Sequence, residues 1–434
     1  MPKVNFELPM LLNRLFKSTL GRNIFSNYLS AIWVGSLSIL FIPLYLKMLS
    51  PAGWGVVALC LSMQAFWSLL DVGLSQVMPR DVARVLNNHQ KLIETFSLFA
   101  KSYMGIAIIA FLVGQLTVNL FMEYWAPGGL TALGNQEWLF RLVYIQFLFQ
   151  FSNNAHTGYW NGTQMQGLAN LRLCIFSTAK HIGALSLMYL WKPDPVSYGL
   201  SFAFFSFIEW FLNRKTIFKA LGLDGLLRIP LLEFKKLLIE TGILAFAIFV
   251  GMLISQVDRI VLSKMVSIES FGRYVIVASL GLAFMQLQNP LVRAFFPKLV
   301  TSADVNSKRY YKAMTGLIFI TCMVPCLLVA LLAPNVLDFW LSDRNTIVEG
   351  VTSLRLILIA VAINAIYQIP YQRIILKGMG FIVLKINLIV LTVILPLIIF
   401  LTPRIGISAG GVSWVVGALI QFTLGIYFSK KNQL

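Results

Sequence analysis

The sequence predicts an all-α integral membrane protein, with about twelve transmembrane helices in two six-helix lobes. Three observations carry this. Of 434 residues, 58% are hydrophobic and only 12% charged, about half the charged fraction of a soluble domain. The apolar residues fall into runs long enough to cross a hydrocarbon core of about 30 Å. Most of the 35 Lys and Arg residues sit in every second connection between those runs, the bias that marks cytoplasmic loops.

In chain order, Lys3, Arg14, Lys17 and Arg22 precede a first run at 23–46 that holds no Asp or Glu. A short link leads to 54–78, which ends before Arg80, Arg84, Lys91 and Lys101. Runs at 97–122, 138–160, 168–191 and 196–213 complete the first six. The longest connection follows, 214–236, rich in Arg214, Lys215, Lys219, Arg228, Lys235 and Lys236. Beyond it lie runs at 237–262 and 272–294, then Arg293, Lys298, Lys308, Arg309 and Lys312. A run at 313–333 leads into a connection with Asp338, Asp343 and Glu349 against a single Arg344, as expected outside. The last runs are 351–374, 381–401 and 408–428, followed by Lys430 and Lys431. Stretches such as IVLTVILPLIIFL at 389–401 lack the period-two alternation of barrel strands, so helices are expected.

The expected organisation is a cytoplasmic segment 1–22, an N-lobe 23–213, a cytoplasmic linker 214–236, a C-lobe 237–428 and a cytoplasmic tail 429–434. No short apolar core with a cleavage site marks a removable signal peptide. The formal charge of +18 would point to nucleic acid in a soluble protein. Here the cations flank apolar runs, so membrane lipids are the expected partner and nucleic acid is not. The four cysteines all lie inside apolar runs, which gives no disulfide framework. Cys322 and Cys326 share a helical face, but no ionisable neighbour completes a metal site, and no cofactor motif or catalytic signature is present.

A weak repeat crosses the linker. Lys47-Met48-Leu49-Ser50-Pro51-Ala52-Gly53-Trp54-Gly55 is answered, half a chain length on, by Lys264-Met265-Val266-Ser267-Ile268-Glu269-Ser270-Phe271-Gly272. Pro79-Arg80 is answered by Pro297-Lys298, and Arg141, Gln150 and Asn154 by Arg355, Asn364 and Gln368. Both halves carry the same topology, so the repeat is parallel, a plan in which substrate binds between halves that rock.

Polar residues inside the runs mark candidate sites. Gln146, Gln150, Asn153 and Thr157 share one face of the fourth helix; Asn364, Gln368 and Gln372 share one face of the tenth. Amides in lipid are costly, so these rows face protein or water. Helix–helix hydrogen bonding is the plainer reading; a hydrated cavity lining is favoured because two equivalent rows exceed what one clasp needs. Lys180, mid-span beside His181, needs a carboxylate, water or an anionic ligand, since burying it costs about 2.5 kcal/mol or more. Arg141 and Arg355 either snorkel to outer headgroups or form a paired phosphate clamp. Asp71, Glu209, Asp258 and Arg259 are candidates for ion coupling or gating, with salt bridging or capping the plainer reading; Glu209 has Arg214 and Lys215 nearby in sequence.

The chain resembles the polysaccharide transporter branch of the multidrug/oligosaccharidyl-lipid/polysaccharide flippase superfamily, the Wzx-type O-antigen flippases. The resemblance runs through Pro43-Leu44-Tyr45-Leu46 to Gly53-Trp54-Gly55, where the family carries Tyr in place of Trp54. It continues through Leu70-Asp71-Val72-Gly73-Leu74 with Arg80, and Gln256-Val257-Asp258-Arg259 with Gly272-Arg273-Tyr274. It ends at Pro403-Arg404-Ile405-Gly406-Ile407 with Ala409-Gly410-Gly411. The resemblance implies two V-arranged lobes in the bacterial inner membrane, no enzymatic activity, and no cofactor. It also implies transfer of an undecaprenyl-diphosphate-linked oligosaccharide between leaflets, beside a polysaccharide polymerase and a chain-length regulator. A multidrug/cation antiporter is the alternative, weakened because the first run lacks the carboxylate that branch needs. A glycosyltransferase or polymerase would need larger outer loops.

Overall fold

A computed structural model describes residues 19–71, 74–124, 137–222, 246, 249–288, 291–292, 299, 304–341, 343–377 and 379–431. All regular structure among them is helical, and nine of these helices are long and apolar enough to cross a membrane. The chain is a multi-pass membrane protein. Residues 1–18 of the expected N-terminal segment, 223–236 of the linker, most of the start of the seventh run, Arg293 and Lys298 lie outside the described residues.

The first half comprises α1 (Thr19–Trp67), α2 (Leu74–Arg84), α3 (His89–Tyr124), α4 (Glu137–Gly162), α5 (Gln166–Leu190) and α6 (Pro195–Leu221). The second comprises α7 (Val257–Met265), α8 (Ile268–Ala283), α9 (Asp304–Ile318), α10 (Val324–Leu331), α11 (Ala333–Trp340), α12 (Arg344–Leu376), α13 (Gly380–Ile405) and α14 (Ser408–Lys431). Local chemistry sets these boundaries. Asp194 caps α6 by accepting from the Val196 N–H at 2.8 Å, with Pro195 in the first turn where no N–H is needed. Gly222, at φ +65°, ends α6 in the left-handed conformation that a side chain would resist.

The first two expected spans share α1, broken at Ser50, whose φ of +59° and ψ of 163° are non-helical. The Ser50 hydroxyl then accepts from the Gly53 N–H at 3.3 Å. Its counterpart Ser267 opens α8 in the same way, accepting from the Ser270 N–H at 3.3 Å. One side-chain cap therefore starts a helix at corresponding places in both halves.

Those two helix starts lie against each other. α1 packs on α8, the main contact between the halves. A Cβ on Gly55 would lie 2.1 Å from the Ile268 carbonyl oxygen; one on Gly272 would lie 2.8 Å from the Gly55 Cα and 3.0 Å from the Pro51 carbonyl oxygen. Only glycine lets the backbones approach so closely. The contact is reciprocal, because Gly55 and Gly272 correspond in the sequence, as do Pro51 and Ile268. Nearby, the Trp340 indole donates to the Ile39 carbonyl at 2.9 Å, a second tie between halves.

Burial follows the same division. One hydrophobic cluster joins both halves around Tyr45, Trp54, Ile268, Phe271, Leu337 and Leu354. At the opposite end, which carries Arg84, Lys91, Lys219, Lys377 and Lys430, no buried cluster among the described residues joins the two halves. The first half closes around Met78, Phe96, Tyr103 and Phe151, the second around Met314, Ile318 and Cys322. Among the described residues, the halves pack together at the Ser50 end and independently at the basic end.

Candidate functional site: a polar interior in two halves

In the first half the polar interior is a closed network. Lys180 on α5 donates to Glu209 Oε2 on α6 at 2.9 Å. Asn153 on α4 donates to Glu209 Oε1 at 3.2 Å and accepts from Asn213 Nδ2 at 2.8 Å. Asn213 in turn accepts from Arg172 Nη1 at 2.6 Å. Lys180 is 9% exposed and Glu209 8%, so this ion pair sits in low dielectric and each charge depends on the other. Higher on α4, Gln146 and Gln64 of α1 exchange hydrogen bonds of 2.8 and 3.4 Å, and Gln146 also donates to Gln150 at 3.1 Å. Of the expected row, Gln146 and Asn153 are buried and bonded within the lobe, whereas Gln150 and Thr157 are exposed.

The second half is built differently. The tenth-span row meets amides from three other segments. Gln288 donates to Asn364 at 3.2 Å, Asn364 to Gln421 at 3.4 Å, and Gln421 to Asn387 at 3.4 Å. Beside this chain lies a cavity of about 130 Å³, bounded by Ser255, Asp258, Asn364, Ser413, Trp414 and Gln421. Asp258 is 2% exposed. Its Oδ2 accepts from the Tyr274 hydroxyl and from the Trp414 indole at 2.9 Å, but its Oδ1 has no partner. Buried atoms without partners in this half include Gln256 Oε1 and Arg259 Nε, which flank Asp258 in sequence, and Gln288 Oε1. A bare carboxylate oxygen beside amide and hydroxyl oxygens can seat a proton or a small hard cation.

The remaining candidates are placed less centrally. Arg141 donates to Glu137 at 2.6 and 2.8 Å and to the Gln115 side chain at 3.0 Å, so its guanidinium is held at the edge of its own half. Arg355 is exposed and donates to the Ala330 carbonyl at 3.2 Å. Asp71 accepts from Ser75 at 2.7 Å and from the Tyr103 hydroxyl at 2.8 Å, which caps α2. Glu209 pairs with Lys180 and not with Arg214 or Lys215, its neighbours in sequence. Gln368 is half-buried and Gln372 buried. Sequence reasoning missed Gln64, Asn213, Arg172, Gln288, Asn387, Trp414 and Gln421. The available signal was one amide or cation in an otherwise apolar stretch.

The description of the polysaccharide biosynthesis protein family matches this chain over residues 20–303, from α1 past the end of α8. The chain belongs to that family. A Shigella flexneri protein described as an O-antigen transporter is 22% identical over 382 residues, 87% of this chain and 89% of that one. Among solved structures, the lipid II flippase MurJ in an inward closed conformation superimposes with a TM-score of 0.74 at 12% identity, covering 94% of this chain and 87% of that one. An inward-facing multidrug resistance MATE transporter gives 0.73 at 13% identity, covering 94% and 95%. At these identities the two solved structures speak to the fold alone.

Proposed function

We propose that this family member flips an undecaprenyl-diphosphate-linked oligosaccharide, an O-antigen or similar repeat unit, from the cytoplasmic to the periplasmic leaflet of the bacterial inner membrane by alternating access. The observation that carries this reading is the pair of halves sealed at the Ser50 end and separate at the basic end. The positive-inside bias supports a cytoplasmic basic end and cytoplasmic termini, so an opening between the halves there would face the leaflet where lipid-linked sugars are assembled. The two six-helix lobes, 23–213 and 237–428, act as the rocking bodies. The Shigella relative is described as transporting O-antigen, and MurJ as flipping lipid II.

The chemistry fits this cargo. A diphosphate and its sugars cannot cross hydrocarbon bare, because desolvating charge costs many kcal/mol. The lipid tail can stay in the bilayer while the head group passes along the exposed Gln150, Thr157 and half-buried Asn364 and Gln368. Asp258, with Arg259 beside it, is the coupling residue in this reading: uptake and release of a proton or cation at its open oxygen would bias the rocking step. Lys180 acts through the Glu209 pair. A polymerase and a chain-length regulator would consume the product outside.

Deletion tests the reading. It should trap short lipid-linked glycan on the cytoplasmic face and abolish surface polymer; normal surface polymer in the deletion strain would count against it. The multidrug/cation antiporter reading is favoured by one feature, the open carboxylate of Asp258. It predicts drug hypersensitivity with intact polymer in the same strain.

A further inference from the structure

A second cavity lies in the first half, next to the closed network, since its His156 hydrogen-bonds with Asn153 at 3.1 Å. It measures about 110 Å³ and opens between α3 and α6 over a floor of Ser152 and His156 from α4. Lys101 forms one wall and Arg214 the other, with Met104 and Trp210 beside them. Among the described residues neither cation has an acidic partner. Arg214 lies over aromatic faces, 4.1 Å from the Phe218 ring centroid and 5.7 Å from that of Trp210. Such stacking orients a guanidinium and leaves its N–H groups free to donate.

The position of the two cations decides the ligand. On α3, Lys101 continues the exposed apolar stripe of Ile108, Leu112 and Leu116 at helical spacing. On α6, Arg214 continues the exposed stripe of Phe204, Phe207 and Phe211. Both helices therefore show hydrocarbon-compatible faces that end in a cation, on the side of the basic end. The cavity opens on the same faces as these exposed apolar stripes, which suits contact with lipid. A water takes about 30 Å³ of liquid, so the cavity holds a group several times larger.

We infer that Lys101 and Arg214 form a seat for the phosphate of an anionic phospholipid, whose acyl chains lie along the Ile108–Leu116 and Phe204–Phe211 stripes. Basic pockets between helices at the cytoplasmic surface are suited to this chemistry. The assignment to the inner leaflet rests on the orientation in the proposed function; the contact itself does not.

Native mass spectrometry of the purified full chain in detergent, titrated with phosphatidylglycerol or phosphatidylcholine, tests the site. Phosphatidylglycerol should bind about tenfold or more tightly than phosphatidylcholine. The Lys101→Gln/Arg214→Gln variant should lose that preference, whereas Lys101→Arg/Arg214→Lys should keep it. Equal binding of the two lipids, or an unchanged preference in the Gln variant, overturns the inference. If the Gln variant does not fold, each single Gln substitution should lose part of the preference, and no loss in either counts against the seat. Millimolar inorganic phosphate should not displace the lipid; full displacement would make this a free-anion site and overturn the lipid assignment. No transport is measured, so failure here leaves the flippase reading intact, and failed flipping leaves this result intact.

Discussion

The two halves enclose polar residues in opposite ways. In the first half, Lys180, Glu209, Asn153, Asn213 and Arg172 bond to one another across three helices. Its buried unpartnered atoms among the described residues are the Trp54 indole and the Ser97 and Ser206 hydroxyls, all neutral. In the second half the Asp258 carboxylate oxygen, two amide oxygens, the Arg259 Nε and two hydroxyls lack hydrogen-bond partners among the described residues, and the carboxylate borders a cavity. The two interiors are thus built to different plans. A closed network fixes helix positions, whereas open acceptors can exchange a small ion. In the proposed reading, the closed network keeps one lobe rigid and the open acceptors make the other responsive.

The largest expected effect tests the closed network. Lys180→Ala leaves Glu209 buried and unpaired, which should destabilise the protein by about 3–5 kcal/mol, read as loss of folded protein in detergent melts. Lys180→Arg should retain part of the transport that Lys180→Ala loses. The double variant Lys180→Met/Glu209→Leu should recover most of the stability; if transport returns with it, Lys180 is structural, and if not, the cation also serves the cargo. Next comes the seam shared by both halves. Gly55→Ala pushes a methyl group against a backbone carbonyl and should cost about 1–3 kcal/mol of the sealed state. Cysteine labelling at the Ser50 end would rise; unchanged labelling would show that the glycine contact does not hold the seal.

Asp258→Asn should lower transport about tenfold or more while leaving the melting temperature close to that of the parent, because the change spares the fold but removes the titratable oxygen. Normal transport in this variant would remove the contrast between the halves. The smallest effect separates the two amide rows. Gln146→Leu should lose about 0.6–2 kcal/mol of stability with its bonds to Gln64 and Gln150. Gln368→Leu, which breaks no hydrogen bond among the described residues, should leave stability unchanged; an equal loss in both would mean the rows are equivalent.

The sequence made the membrane architecture legible because transfer energy is local: each apolar run reports its own burial. The helix break at Ser50 and the amide rows were readable for the same reason, being properties of one segment. Partnerships between segments were not. Glu209 stands close to Arg214 and Lys215 in sequence, yet it meets Lys180, because α5 and α6 pack side by side while Arg214 turns toward Phe218. Gln421 and Asn387 are isolated polar residues along the chain, and only the packing of three helices links Asn387 through Gln421 to Asn364. The distinction between a bonded row and an open one depends on which neighbours carry a matching donor, and spacing along one helix does not encode that.

The backbone-to-backbone meeting of Gly55 and Gly272 has one further consequence. Pro51, Gly55, Ile268 and Gly272 hold no proton to lose and no charge for salt to mask, so this door is deaf to acidity and ionic strength. Whatever signal tells it to part must arrive mechanically, from the tilt of the lobes behind it.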